Sequence, residues 1–332
     1  MARRALLVGI DTYKHFNGLR TCVADATAMQ ELLERNADGS PNYSCRLMVY
    51  GRNMSNTPKV TRALLREACR ELFDSTGDVL FYFSGHGSLT EVGGYLATWE
   101  SQADDWGIPM QEIIDRASAS PARDILVILD CCHAGAAGNA SLLNRPGERN
   151  PLAALRENMT VIAASRASES SVESDKYSLF TASLLDALDG GAADSVGWVT
   201  AQSIYAYVER GFGGWVQRPV YKSHATELTI VRQCAPLITW LKLNQLVVHF
   251  PTPDYKFPLD PEHEPEDEHG NAHKPVNHEK VALAKLFKEY RDAGLLKSSD
   301  GQQFYWVARK GGTLELTLRG REYWRLVKGK RI

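Results

Sequence analysis

Short, dense apolar runs separated by longer amphipathic stretches fill the first two-thirds of the chain. Residues 3–10, Cys45 to Tyr50, Asp78 to Phe83, Asp124 to Leu129 and Met159 to Ala164 each have the length and β-branched or aromatic content of a buried strand. A sixth strand is expected at Glu227 to Val231, and Gly94 to Trp99 reads as a small accessory strand. Val23 to Asn36 puts Met29, Leu32 and Leu33 on one helical face. A second helix opens at Thr57-Pro58, with Thr57 as the cap and Pro58 in the first turn, and runs to about Phe73. Pro109 to Ala117, Ser178 to Leu188 and Thr200 to Arg210 also read as helices. Strands alternating with helices predict an α/β layer fold with a largely parallel sheet.

The pattern then changes. Residues 251–278 hold six prolines and seven acidic residues against two lysines, with little to bury. Residues 236–278 are therefore expected to be a linker, following a domain at 1–235. Its four histidines (His263, His269, His273, His278) lack compact ligand spacing and read as part of a solvated tether rather than a metal site. From 279 to 332 the chain turns basic, with 13 Lys and Arg against 6 Asp and Glu. Val281 to Ala293 is an amphipathic helix carrying Leu283, Leu286, Phe287 and Tyr290 on one side. Phe304 to Ala308 and Leu314 to Thr317 flank Lys310-Gly311-Gly312, a hairpin signal, and Leu318 to Val327 is a last helix. Helix, hairpin and helix together look like part of a winged helix, a small α+β unit.

Composition narrows the class. At 332 residues, with 44% hydrophobic content, the chain has the make-up of a soluble globular protein of two domains, or of one domain and an extension. A net charge of −2 implies no overall attraction to nucleic acid or an anionic membrane. Met1-Ala2-Arg3-Arg4 runs straight into a strand without the apolar stretch of a signal peptide, and no apolar run approaches the roughly 20 residues that span a bilayer. The six cysteines are scattered without metal-ligand spacing, so reduced thiols and a cytoplasmic location are expected.

Two strands end in reactive turns. Ser84-Gly85-His86-Gly87 follows Asp78 to Phe83, and Asp130-Cys131-Cys132-His133-Ala134-Gly135 follows Ile125 to Leu129. In open parallel sheets chemistry sits at the carboxyl ends of strands. A histidine on one strand end and a cysteine on the next form a thiol protease dyad: the imidazole takes the thiol proton and later protonates the leaving amine. Side chains alternate along a strand, so Asp130 and Cys132 share a face and Cys131 points the other way, into the packing. Cys132 is the expected nucleophile and His86 the base. A lone cysteine reads as a small buried hydrophobe; the histidine turn upstream overrides that reading for Cys132. His133 is a weaker alternative base. The backbone N–H groups of Gly87 and Cys132 are candidate oxyanion donors.

The order of motifs is strand 3–10, Leu19-Arg20-Thr21-Cys22-Val23-Ala24-Asp25-Ala26, Ser84-Gly85-His86-Gly87, Asp130-Cys131-Cys132-His133-Ala134-Gly135, Val161-Ile162-Ala163-Ala164-Ser165 and Tyr177-Ser178-Leu179-Phe180-Thr181. Over about residues 3–233 this resembles the caspase-like cysteine peptidases, in particular the metacaspase and prokaryotic caspase-homologue branch. The resemblance implies a six-stranded, mostly parallel sheet flanked by helices with the sixth strand antiparallel, and the dyad His86–Cys132. It also implies that Asp25, Ser84 and Asp130 line the primary pocket. Two carboxylates there favour a guanidinium or ammonium, so cleavage after Arg or Lys is expected. The alternative for Asp25 is a helix N-terminal acid. Thr21-Cys22 and Ala24-Asp25 stand where that branch often has Gly-Cys and Asn-Asp, which bears on loop shape rather than charge. Some relatives need calcium. Glu100, Asp104 and Asp105 fall about where such a site lies, but a further acidic position is Asn139 here, and a solvated acidic loop is the alternative. The dyad chemistry itself calls for no cofactor.

The expectation is a cysteine endopeptidase acting on protein substrates with Arg or Lys before the scissile bond. Ala136 to Asn158 is a long loop where caspase-like enzymes carry a processing linker. Cleavage there, by the chain itself or by an upstream protease, would activate a zymogen. Arg149–Asn150 and Arg156–Glu157 are the candidate bonds, since proline disfavours Arg145–Pro146. The resemblance places such enzymes in bacterial stress or antiphage defence. Residues 279–332 are a candidate docking unit for a partner; nucleic acid and membrane are not expected as partners. The alternative is a catalytically weak caspase-like scaffold whose C-terminal unit recruits a protein or nucleic-acid partner.

Overall fold

The computed structural model describes residues 3–90, 93–131, 155–164, 176–212, 219–264, 266 and 276–331. Six strands form the main sheet: β1 Arg3–Ile10, β2 Ser44–Tyr50, β3 Asp78–Ser84, β4 Asp124–Asp130, β5 Met159–Ala163 and β6 Val220–His224. Their order is β6-β5-β4-β3-β1-β2. All neighbours are parallel except β6, which runs antiparallel to β5.

Alternation along the central strands produces two cores. Leu6, Val8, Phe81, Phe83, Val127 and Leu129 face one side. There they meet Leu65 and Cys69 of α2 (Arg62–Phe73) and Ile113 and Ile114 of α3 (Met110–Ala119). Leu7, Leu80, Tyr82 and Ile128 face the other. Their partners are Ala26 and Met29 of α1 (Cys22–Leu33), and Phe180 and Leu184 of α4 (Leu179–Asp186). Burial on both faces is why β3 and β4 read as unbroken apolar runs. The start of α1 sits hard on β1: a Cβ at Gly9 would come within 2.2 Å of the Cys22 carbonyl oxygen.

Three elements depart from expectation. The sixth strand of the sheet is Val220–His224, not Glu227 to Val231; Ile230–Gln233 instead pairs antiparallel with Trp198–Thr200. As an edge strand, β6 is only half-buried and its sequence carries little apolar signal. The second helix begins at Arg62, capped by Thr61, rather than at Thr57-Pro58. The Trp99 N–H bonds the Val60 carbonyl, which holds the preceding segment extended, and Glu100 Oε1 accepts the Arg62 N–H at 2.8 Å. Phe304–Arg309 is a helix rather than a strand. Its buried residues Phe304, Val307 and Ala308 follow helical spacing, which outweighs their β propensity.

The chain divides into two compact units, Met1–Ala193 with Trp198–Cys234, and Asp194–Gly197 with Ala235–Ile332. The second is a small α+β unit in which Thr313–Leu316 pairs with both Phe257–Pro258 and Leu296–Ser298. Much of the stretch expected to be linker belongs to it. Ile238, Leu243, Leu246, Phe250 and Leu259 are buried, and Phe250 packs near Tyr255, Phe257 and Phe287. The acidic residues of this stretch answer the basic helix His278–Asp292: Asp260 and Glu262 pair with Lys280, and Glu264 pairs with Lys288. Overall composition hid this, because a few aromatic and aliphatic anchors suffice to fold a Pro- and acid-rich segment onto a complementary surface. Of its histidines, His263 is buried and bonded to Asp260, whereas His269 and His273 lie outside the described residues.

Candidate active site

The carboxyl ends of three adjacent parallel strands build the site. Ser84 ends β3 and pairs with Asp130, the last residue of β4, and on its other side with Gly9 of β1. After β1 the chain loops through Asp11 to Thr21 into α1. Asp11 Oδ1 accepts the Cys22 N–H at 2.8 Å, so a side chain from the end of β1 caps the helix where Thr21 makes no side-chain cap bond.

Asp25, one turn into α1, is completely buried, and Asp130 nearly so. Asp25 Oδ2 accepts the hydroxyls of Ser84 at 3.0 Å and Thr21 at 3.2 Å, and Oδ1 accepts the Ser178 N–H at 3.0 Å. Ser178 sends its hydroxyl to Asp130 Oδ2, which also accepts Thr181 Oγ1 at 2.7 Å. Thr181 in turn lies 2.6 Å from the Tyr82 hydroxyl. Burial, and then the nearby Asp130 charge, push the Asp25 carboxyl up to about 7. Among the described residues no basic side chain forms an ion pair with Asp25. Burial also drives the Cys22 thiol well above its ordinary range, so it stays protonated.

His86 stands beside this cluster, half-buried. Its Nε2 lies 2.8 Å from the carbonyl oxygen of Asn17. A carbonyl only accepts, so Nε2 carries the proton and Nδ1 has the lone pair a base requires. The His86 N–H donates to the Tyr13 hydroxyl at 2.8 Å, and the two rings lie 4.8 Å apart. Only glycine fits at 85, since a Cβ would approach Tyr13 Oη to 2.7 Å and the Phe83 ring to 2.9 Å. Gly87 opens a short strand, Gly87–Thr90, that pairs with Gly93–Leu96.

A family model of the caspase domain, peptidase C14, matches residues 2–230. The chain belongs to the caspase domain family. It is thus a member of a family of cysteine peptidases. No curated protein matches the chain. Among solved structures, protein GSU0716 from Geobacter sulfurreducens is similar at 17% identity and a TM-score of 0.49, over 71% of this chain and 98% of that one.

Within this caspase domain, the structure gathers Asp25, Ser84 and Asp130 into one buried cluster with His86 on the adjoining turn. Cys131 is buried among Phe83 and Leu129. Cys132, His133, Asn139 and Arg149 lie outside the described residues. Arg156 lies before β5, at the other end of the sheet from His86. Its guanidinium donates to the carbonyls of Ser120 and Ala122, the latter at 2.6 Å, and to its neighbour Glu157 at 2.9 Å. The acidic loop has other partners: Glu100 caps α2, and Asp105 pairs with the Arg62 guanidinium. A cation there would compete with Arg62, and among the described residues no group of three or more potential ligands could hold a metal ion. These residues do not fit a calcium site. Among the described residues, no helix is long and apolar enough to cross a membrane.

Sequence reasoning missed Asn17, Tyr13, Thr181 and the bridging role of Ser178. Ser178 carried one readable signal, a capping residue just before an apolar run. Asn17 acts through its backbone, which leaves no trace in residue type.

Proposed function

We propose that this caspase domain is a cysteine endopeptidase that cleaves after Arg or Lys. The observation that carries this reading is the buried Asp25–Asp130 pair beside His86. Two carboxylates withdrawn from water, with hydroxyl and N–H donors and, among the described residues, no ion-paired cation on Asp25, are costly to ionise. A guanidinium or ammonium entering the pocket supplies positive charge and multiple donors. An aspartate side chain would meet repulsion. In this reading Cys132 attacks the scissile carbonyl after His86 Nδ1 takes its proton, and the N–H groups of Gly87 and Cys132 receive the oxyanion.

The chain is made as a zymogen in the same reading, and cleavage in the loop 136–158 releases the pocket. Arg149–Asn150 is the favoured bond, because the Arg156 side chain is tied to three backbone carbonyls. A protein partner docks on the C-terminal unit, and the metacaspase-like character fits a role in bacterial stress or antiphage defence.

Peptides ending in Arg, Lys or Asp before a fluorophore test the reading. Cleavage after Arg and Lys, lost in Cys132→Ala and largely kept in Cys131→Ala, is the expected result. Cleavage after Asp would overturn the pocket assignment, and equal loss in both cysteine variants would overturn the nucleophile.

A further inference from the structure

An aromatic stack flanks His86. The Phe16 ring lies edge-on at 6.2 Å from the His86 ring, and Trp106 stacks on Phe16 at 5.4 Å with the planes 6° apart. Both are only partly buried, so apolar surface is presented next to the base. The stack is firmly seated. The Lys14 N–H bonds the Trp99 carbonyl at 2.8 Å and the Leu19 N–H bonds the Asp11 carbonyl at 2.8 Å, which pins the loop carrying Phe16 at both ends.

The stack and the acid pair belong to opposite faces of the sheet. Phe16 packs on the core that contains Tyr13, Phe83 and Ile108. Asp25 comes from α1, whose Ala26 and Met29 pack with Tyr82 on the other face. His86 stands between the two. The imidazole that takes the thiol proton returns it to the departing amine, so the leaving half of the substrate must pass His86. The residue before the scissile bond is held by the acid pair on one face. The residue after it then runs over the other.

We propose that Phe16 and Trp106 form the subsite for the substrate residue that follows the scissile bond, and that this subsite selects a large apolar or aromatic side chain. This rests on the peptidase reading above. An apolar contact of this kind discriminates roughly 10-fold or more in kcat/KM.

Internally quenched peptides with Arg before the scissile bond, and Gly, Asp, Lys, Leu or Phe after it, test the proposal on the full chain. Leu and Phe should exceed Gly by roughly 10-fold, and the ratio should fall towards unity in Trp106→Ala and be partly restored in Trp106→Phe. Because the ratio is taken within one enzyme, it does not depend on how much of a variant folds. A wild type that cleaves Arg–Gly as well as Arg–Phe overturns the subsite alone, as does a ratio unchanged in Trp106→Ala. A wild type that cleaves no Arg or Lys peptide even after the loop 136–158 has been cut overturns the peptidase reading and the subsite with it.

Discussion

Ser178 donates its backbone N–H to Asp25 Oδ1 at 3.0 Å, across 153 positions of chain. With its hydroxyl on Asp130 and also accepting the Thr181 N–H as the cap of α4, this one residue joins both carboxylates to a helix start.

Ser178→Ala keeps the N–H bond to Asp25 but removes the cap and one donor to Asp130. Loss of a cap costs about 1 kcal/mol, and a hydrogen bond to a charged group about 1.5–3 kcal/mol. Urea unfolding should therefore show a destabilisation of about 2.5–4 kcal/mol, and KM for an Arg peptide should rise more than kcat falls. A variant as stable as wild type would mean that the bridge contributes nothing.

Asp25 makes both stability and binding depend on pH. Its folded value of about 7 lies above the ordinary aspartate value of 3.8, so the folded state holds the proton that the unfolded chain has released. That contribution to stability is complete below about 4 and is lost as pH rises towards 7, with a slope of at most about 1.4 kcal/mol per unit. A cationic substrate needs the ionised form, so affinity for Arg peptides should move the other way and strengthen as pH rises through about 7. Asp25→Asn should flatten both profiles between pH 5 and 8. Urea midpoints and KM values across that range check the pair of slopes.

Arg156 is expected to anchor the base of β4 rather than to be cut. Arg156→Ala should lower stability by about 1–3 kcal/mol, through carbonyls that lose charged donors, while leaving the pattern of chain cleavage unchanged. Arg149→Ala should abolish the cut. Intact mass of each activated variant decides; a cut lost in Arg156→Ala alone would reverse the assignment.

Where the second unit begins can be tested by truncation. Removing 251–332 leaves Phe250 without its Phe257 and Phe287 ring partners and keeps the buried Leu243 and Leu246 beside the new end of the chain. That truncation should aggregate more than one ending at Cys234, as read by soluble yield and size exclusion. Equal solubility of the two would mean that 236–250 needs no partner.

The strands carrying the site were legible because β3 and β4 are covered on both faces, and the interior positions of such strands must be apolar. The turns after them were legible because glycine and reactive side chains stand out locally. So His86 could be nominated from its turn alone, whereas Asp25, Ser84 and Asp130 were nominated through the resemblance to the caspase-like peptidases. The sixth strand was not, since an edge strand such as Val220–His224 needs little apolar content, whereas the more apolar Ile230–Gln233 pairs elsewhere. Only the tertiary structure could decide what surrounds the nominated residues. The Asn17 carbonyl that sets the His86 tautomer is a backbone group every residue possesses, and the Asp11 cap and Ser178 bridge join positions far apart in the chain. Sequence periodicity reports what each residue does within its own element; hydrogen bonds between elements depend on where the packed sheet and helices bring those elements together.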